Sequence, residues 1–291
     1  MSAAGTPMDV PKGKPSGLAR NSLARNPLAL LSLAGFLLLV LSAILAPLLS
    51  PYNPTDMNYD AILSPPDAAH PFGTDDLGRD VLSRVLWGGR ESLRVGILAI
   101  LIAGTVSINL GLVSGYLGGW VDNLIMRIMD VFLAFPHILL VISIVAILGP
   151  GLTTVLIALG VSYVPGATRF VRGTVLAVKD RDYIVAARVL GASDAYIMFT
   201  QVLPNILAPV IIYSTLGLGS AIMATAGLSY IGLGAQPPSP EWGAMLNAAR
   251  SYIREAWWLT FFPGLAIFIA VLCINLLGDG LRDALDPRLR E

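Results

Sequence analysis

The chain of 291 residues holds one cysteine, two histidines and few charges. Cys273 alone excludes an intramolecular disulfide framework and any multi-cysteine metal site. His70 and His137 lie in different regions, and neither has metal-ligand spacing to the other or to the cysteine. Charged residues are 13% of the chain, against about 25% in a soluble domain, too few to cover a water-facing surface. Nineteen Lys and Arg balance nineteen Asp and Glu, so there is no basic surface for a nucleic-acid backbone. No GxxxxGK[ST] phosphate loop, HExxH or GxSxG occurs. The long apolar stretches carry no series of acids that would relay protons. The chain is therefore expected to bind no metal or cofactor of its own, to catalyse nothing, and to take any energy for transport from a partner.

What is abundant is apolar sequence: 55% hydrophobic residues and a mean hydropathy of +0.72. A helix needs about 20 apolar residues to cross a bilayer, and a central charge costs several kcal/mol. Uncharged windows run over residues 26–55, 95–121, 131–168, 195–240 and 256–278. Gly149-Pro150-Gly151 divides the third into a helical hairpin. The expected fold is all-α, a polytopic membrane bundle of about six spans near 28–50, 93–116, 123–148, 152–172, 206–230 and 258–279. Arg127 and Asp130, three residues apart in the third span, are expected to pair on one helix face. The first apolar run is too long for a signal-peptide core and reads as a retained anchor helix.

An even number of spans puts both termini on one side, and the basic residues choose which. The N-terminal segment, the loop after the fourth span and the C-terminus, with Arg127, hold 13 Lys and Arg; the opposite segments hold 6. Both termini and the 173–205 loop are expected to be cytoplasmic. The organisation then reads as a cytoplasmic tail (1–25, rich in Pro, Gly, Ser and Lys and expected to be disordered), a first span with an external segment (26–90), a membrane domain (91–280) and a cytoplasmic tail (281–291). In the external segment, Thr74 is expected to cap an amphipathic helix carrying Leu77, Val81, Leu82, Val85 and Leu86, lying at the outer interface.

Close-packing signals are present. Gly111, Gly115 and Gly119 recur every fourth residue and let a neighbouring helix approach. The fifth span is rich in Ser214, Thr215, Gly217, Gly219, Ser220, Ala221 and Thr225, which suits a polar path or static packing equally; the residues lining a substrate path stay unknown. The loop between spans four and five is too polar to cross. Residues 181–190 read as a helix with a small-residue face at Ala186 and Ala187. Gly191 fits the left-handed residue after a helix end, Ser193 can cap a second helix, and Pro204 is expected to end it. A rigid helix pair of this kind suits insertion into a groove on a soluble partner, and it also suits an ordinary solvated connector.

The same loop resembles the permease signature of ATP-binding-cassette importers: EAA, three residues, Gly, nine residues, an apolar residue, any residue, Leu-Pro. Ala186, Ala187, Gly191, Leu203 and Pro204 match, while Val185 stands for the usual glutamate and Gln201 for the apolar residue. The runs NPLALLSLAGFLLL, HPFGTDDLGRDVLSRVLWG, GGWVDNLIMRIMDVFLAFP, GLSYIGLGAQPPSPEWGAML and LLGDGLRDALDPRLR are similar to the C-type permease subunit of the oligopeptide/dipeptide/nickel group. The resemblance implies the type I importer permease fold in a bacterial cytoplasmic membrane. It implies a second, homologous permease as partner, two cytoplasmic ATPase domains that bind ATP and Mg, and an extracytoplasmic peptide-binding protein. It makes 181–204 the ATPase-docking loop, with Tyr183, Ala186, Ala187, Arg188, Gly191, Ala192, Ser193, Asp194, Leu203 and Pro204 as its residues. The cargo implied is short peptides, with nickel chelates, glutathione or another small solute as the alternative, and a stand-alone channel or carrier further off.

Overall fold

A computed structural model describes residues 27–285. The tail 1–25 and the end of the tail 281–291, with Lys12, Lys14, Arg20, Arg25, Arg288 and Arg290, lie outside the described residues. The described chain is helical, with one isolated antiparallel bridge between Thr74 and Asp80. The α-helices of eight residues or more are α1 (Pro27–Ile44), α2 (Val81–Leu117), α3 (Gly119–Leu133), α4 (His137–Leu148), α5 (Leu152–Leu176), α6 (Asp182–Val189), α7 (Leu203–Tyr230), α8 (Trp242–Ala249) and α9 (Trp258–Leu285). Five helical segments are long and apolar enough to cross a membrane, and six spans result when the bent pair α3 and α4 is counted as one.

That pair departs from the straight third span expected over 123–148. The chain turns by 83° between α3 and α4. Phe135 precedes Pro136, and a residue before proline is steered out of the α region; the α3 helix ends two residues earlier, at Leu133. The hairpin at Gly149–Gly151 has the expected form, α4 ending at Leu148 and α5 starting at Leu152.

The expected interfacial helix is likewise not a separate element. Its apolar residues from Val81 onward open α2, which runs unbroken for 37 residues. Asp80, not Thr74, caps it: the carboxylate accepts from Ser83 N at 2.8 Å and from Ser83 Oγ at 2.7 Å. Thr74 is buried instead, its hydroxyl donating to Ala61 O and accepting from Ser64 N at 2.9 Å. The charges near residue 90 that broke the apolar window lie at the surface, Arg90 and Arg94 exposed, and the turns of α2 before them belong to a polar cap on this end of the bundle. Arg79 meets Asp75 at 2.7 Å, and Arg84 donates to Pro54 O at 2.8 Å. Fully buried Glu241 accepts from Ser92 Oγ and from Ala244 N, both at 2.9 Å. Trp242 and Trp258 donate to Val85 O and Thr74 O at 2.9 and 3.0 Å. A buried carboxylate or guanidinium survives only when hydrogen-bonded in this way.

The membrane core is built on α2 against α5, the most extensive helix contact in the fold. A Cβ at Gly111 would lie 2.6 Å from Val171 Cβ, and one at Gly115 2.8 Å from Val175 Cβ, so both positions accept glycine alone. Gly119, expected on the same face, is outside this contact. The helix ends at Gly118 (φ +67°), Gly119 opens α3 at φ +57°, and nothing lies within 4 Å of where its Cβ would be. Gly111→Val should therefore cost about 1–3 kcal/mol through overpacking and lower the thermal midpoint in detergent by about 2–10 °C. Gly119→Ala, strained only by its backbone angle, should cost about 1–2 kcal/mol. No loss at Gly111→Val in the same thermal scan would contradict this packing.

Candidate functional site

The described residues place two loop clusters at opposite ends of the bundle. Segments 50–80 and 231–257 close one end with the polar cap. At the other end α6 and the start of the following helix form an elbow on the ends of α2 and α5. The elbow sequence is locally decisive. Asp182 sits in the first turn of α6 and Arg188 in its last, each favourable to the helix dipole. Gly191 takes φ +84°. Its N–H reaches Arg188 O at 3.0 Å, and Ala192 N reaches Ala187 O at 3.1 Å. These are the paired bonds of a Schellman ending. Ser193 then accepts from Tyr196 N at 3.3 Å and starts the next helix.

That helix does not stop at Pro204 as expected. A single turn, Asp194–Tyr196, widens into a π turn over Ile197–Val202, and Leu203 N bonds back five residues to Met198 O. Pro204 follows directly, and the wider π turn before it accommodates the missing N–H and the ring within a continuous helix. The elbow is thus continuous with the fifth span, and a displacement of one is carried into the other.

The elbow is seated firmly. Ile184 and Ile197 are fully buried in a cluster with Leu112, Val171, Val175, Val202 and Ile206. Tyr116, at the end of α2, donates its hydroxyl to Asp194 Oδ1 at 2.9 Å, and the Arg188 guanidinium lies 5.7 Å over its ring. Tyr116, with Asp194 and Asp180 nearby, pushes the Arg188 pKa above its already high ordinary value. Lys179 Nζ donates to Gly115 O at 3.1 Å. Beside it, Arg172 grips Asp122 with two bonds of 2.6 Å, and Ser114 Oγ adds a third of 2.5 Å. Asp130 pairs across to Arg169 on α5, not with Arg127 on its own helix. The bend at Pro136 lays α3 beside α5, so the arginines of α5 stand opposite both acids of α3.

Of the residues singled out from sequence, Ala187, Ala192 and Leu203 are half-buried against the seat. Tyr183, Ala186, Arg188, Gly191, Ser193, Asp194 and Pro204 face outward. Reading the sequence passed over Ile184 and Ile197, which hold the elbow down, and Tyr116, which ties it to α2. It also passed over Val189 and Leu190, which are 81% and 86% exposed. The signal was there: Val185 and Val189 stand four apart, on one side of α6. Among the described residues no three His, Cys, Asp or Glu side chains gather as a metal site. What the arrangement offers is a rigid, partly apolar knob joined mechanically to three spanning helices.

A bundle of five to six candidate spans with such an elbow is the architecture of a multi-pass membrane protein. Residues 107–291 match the family described as binding-protein-dependent transport system inner membrane component. Residues 14–66 match the N-terminal transmembrane domain of oligopeptide transport permease C. The chain is 47% identical over 276 residues to a di/tripeptide transport system permease of Pseudomonas aeruginosa, covering 93% of this chain and 91% of that one. It is 47% identical to a dipeptide transport system permease of Alkalihalophilus pseudofirmus (94% and 90% covered). It is 48% identical to a glutathione transport system permease of Pectobacterium atrosepticum (88% and 85% covered). An inward-facing structure of the MetNI methionine ABC transporter shares the fold, with TM-score 0.56, 20% identity, and 71% of this chain and 97% of that one covered. The chain belongs to the family of binding-protein-dependent transport system inner membrane components.

Removing the Tyr116 hydroxyl isolates the tie between elbow and bundle. Tyr116→Phe should cost about 1–3 kcal/mol, because the bond is to a carboxylate. Amide exchange over 182–199 should speed up while the α2–α5 contact keeps its protection. Unchanged exchange in the elbow would show that the buried isoleucines hold it alone.

Proposed function

We propose that this chain is one permease subunit of an ATP-driven importer of short peptides in a bacterial cytoplasmic membrane, with both termini and the elbow on the cytoplasmic side. A second, homologous permease pairs with it. Two cytoplasmic ATPase domains, which bind ATP and Mg, take the elbow into a groove, and an extracytoplasmic binding protein delivers the peptide. ATP hydrolysis belongs to those partners, and this chain carries no catalytic residues.

The observation that carries this reading is the elbow. Val189 and Leu190, with half-exposed Tyr183, Val185 and Phe199, form an apolar surface on a segment too polar to enter the bilayer. Such a surface on a rigid seat suits a protein partner. Val185, where the related signature has an acid, makes this contact one of shape and apolar burial. The peptide cargo is supported by the names of relatives that cover most of the chain. A glutathione permease at similar identity supports the runner-up, import of glutathione by the same architecture.

In mechanism, ATP-dependent closure of the ATPase pair moves α6. The seat passes that motion to α2 and α5, and the unbroken π turn passes it to α7. The bundle is a bistable device, and partner binding biases which state it occupies.

Two measurements test this. Membrane vesicles holding the assembled complex should take up labelled dipeptide only when ATP and the binding protein are present; uptake of glutathione alone would select the runner-up. Gly191→Val places a β-branched residue at φ +84°. It should cut uptake by about 5–150-fold, the usual range of a coupling energy, with little change in the amount of permease in the membrane. Uptake equal to that of the native chain would remove the elbow from the coupling route.

A further inference from the structure

Two clefts line up along one face of α7. The larger, about 620 Å³, opens between α4, α5, α7 and α9, with His137, Tyr163, Ser220, Met223 and Asn275 in its wall. The smaller, about 270 Å³, lies between α2, α5 and α7, with Gly104, Tyr163, Tyr213, Ser214 and Ser220 in its wall. Tyr163 and Ser220 belong to both, so the clefts form one furrow with these two side chains at its waist. Its residues on α7 run from Tyr213 to Leu228, with Ile231 just past the helix end. At about 1.5 Å per residue the α7 part is about 22 Å, most of the about 30 Å hydrocarbon core of a bilayer.

The furrow's polar groups sit at mid-span, where lipid would meet them badly. His137 Nε2 bonds Ser162 Oγ at 2.9 Å, and its ring lies 4.7 Å from that of Tyr163. Ser220 and Asn275 are exposed in the isolated chain although each lies deep within a spanning helix. A hydroxyl or amide facing hydrocarbon without a partner costs several kcal/mol. These groups therefore face water, a solute or protein. The larger cleft, open at the surface of the single chain, has the volume of a small-ligand pocket, about 300–1,000 Å³. Neither cleft has an Asp, Glu, Lys or Arg in its wall. Its groups are neutral donors and acceptors, suited to amide N–H and C=O groups and indifferent to the charge of a side chain.

We propose that this furrow is the wall that the chain contributes to the solute path, with Tyr163 and Ser220 at the waist and His137 and Asn275 as hydrogen-bonding contacts for the backbone amides of a short peptide. The solute class rests on the function proposed above; the location of the path does not.

The test uses the complete complex, with Cys273→Ala removing the native thiol and Ser220→Cys placing one at the waist. A charged, water-soluble thiosulfonate should modify this residue in the assembled complex and lower dipeptide uptake by about tenfold or more, and saturating dipeptide should slow the modification by about tenfold. Absence of modification in the assembled complex, or modification without loss of uptake, overturns the path. Dipeptide uptake by the unmodified complex reads the cargo separately. If the complex carries a different solute, modification still blocks that uptake while dipeptide neither enters nor protects, which overturns the peptide contact and leaves the path standing. Asn275→Leu should lower uptake by about tenfold with binding-protein-stimulated ATPase activity retained, and Asn275→Gln should restore most of it. Equal loss in both variants, or loss of ATPase activity with uptake, would assign Asn275 to packing and overturn its contact role.

Discussion

The close approach of α2 and α5 at Gly111 and Gly115 is the contact on which the rest of the structure depends. With no hydrophobic driving force between helices inside a bilayer, association rests on van der Waals fit. Two glycines set against Val171 and Val175 provide that fit. The consequence lies one turn further on. The same face of α2 ends in Tyr116, and α5 leads into the turn at Val178, so the elbow finds both helix ends already fixed side by side. The ion pair of Asp122 with Arg172 then draws α3 onto this end of the bundle.

The two ends of the bundle solve opposite problems. The polar cap hides its charges: Glu241, Arg79, Arg84 and Asp80 are all buried and bonded. That end is closed on itself and rigid. The elbow end does the reverse and leaves Val189 and Leu190 in the open while its polar ties point inward. A closed cap and an open knob, linked by unbroken helices, make a body that can be rocked from one end. The π turn before Pro204 matters here because it keeps elbow and fifth span in one piece.

The spans and the elbow were the most legible parts of the sequence. Uncharged windows locate the spans because the bilayer penalises charge directly, and Gly149 to Gly151 marks the hairpin through backbone chemistry alone. Gly191 and Ser193 act within a few residues, so their roles could be read locally. What stayed hidden depends on partners distant in sequence. The window for the second span closed at Arg94, an exposed charge, and nothing local reveals that the helix runs back to a buried start where Ser92 meets Glu241 and Arg84 meets Pro54. Asp130 appeared to have a partner in Arg127, yet a cross-helix arginine took it once α3 folded against α5. Pro204 reads as a stop or a start with equal ease until the preceding π turn is known. The furrow along α7 was invisible for a similar reason. Its small and hydroxylated residues fit packing as well as a path until Tyr163 and Asn275 were seen to face the same space.

The sidedness and occupancy of the elbow can be measured together. Val189→Cys, in a chain with Cys273→Ala, is exposed to an impermeant thiol reagent in intact cells and in inside-out vesicles, with and without the ATPase subunits bound. Labelling should occur only in inside-out vesicles and should fall when the ATPase is present. Labelling from the outside of intact cells, or labelling indifferent to the ATPase, would contradict a cytoplasmic docking elbow and the coupling built on it.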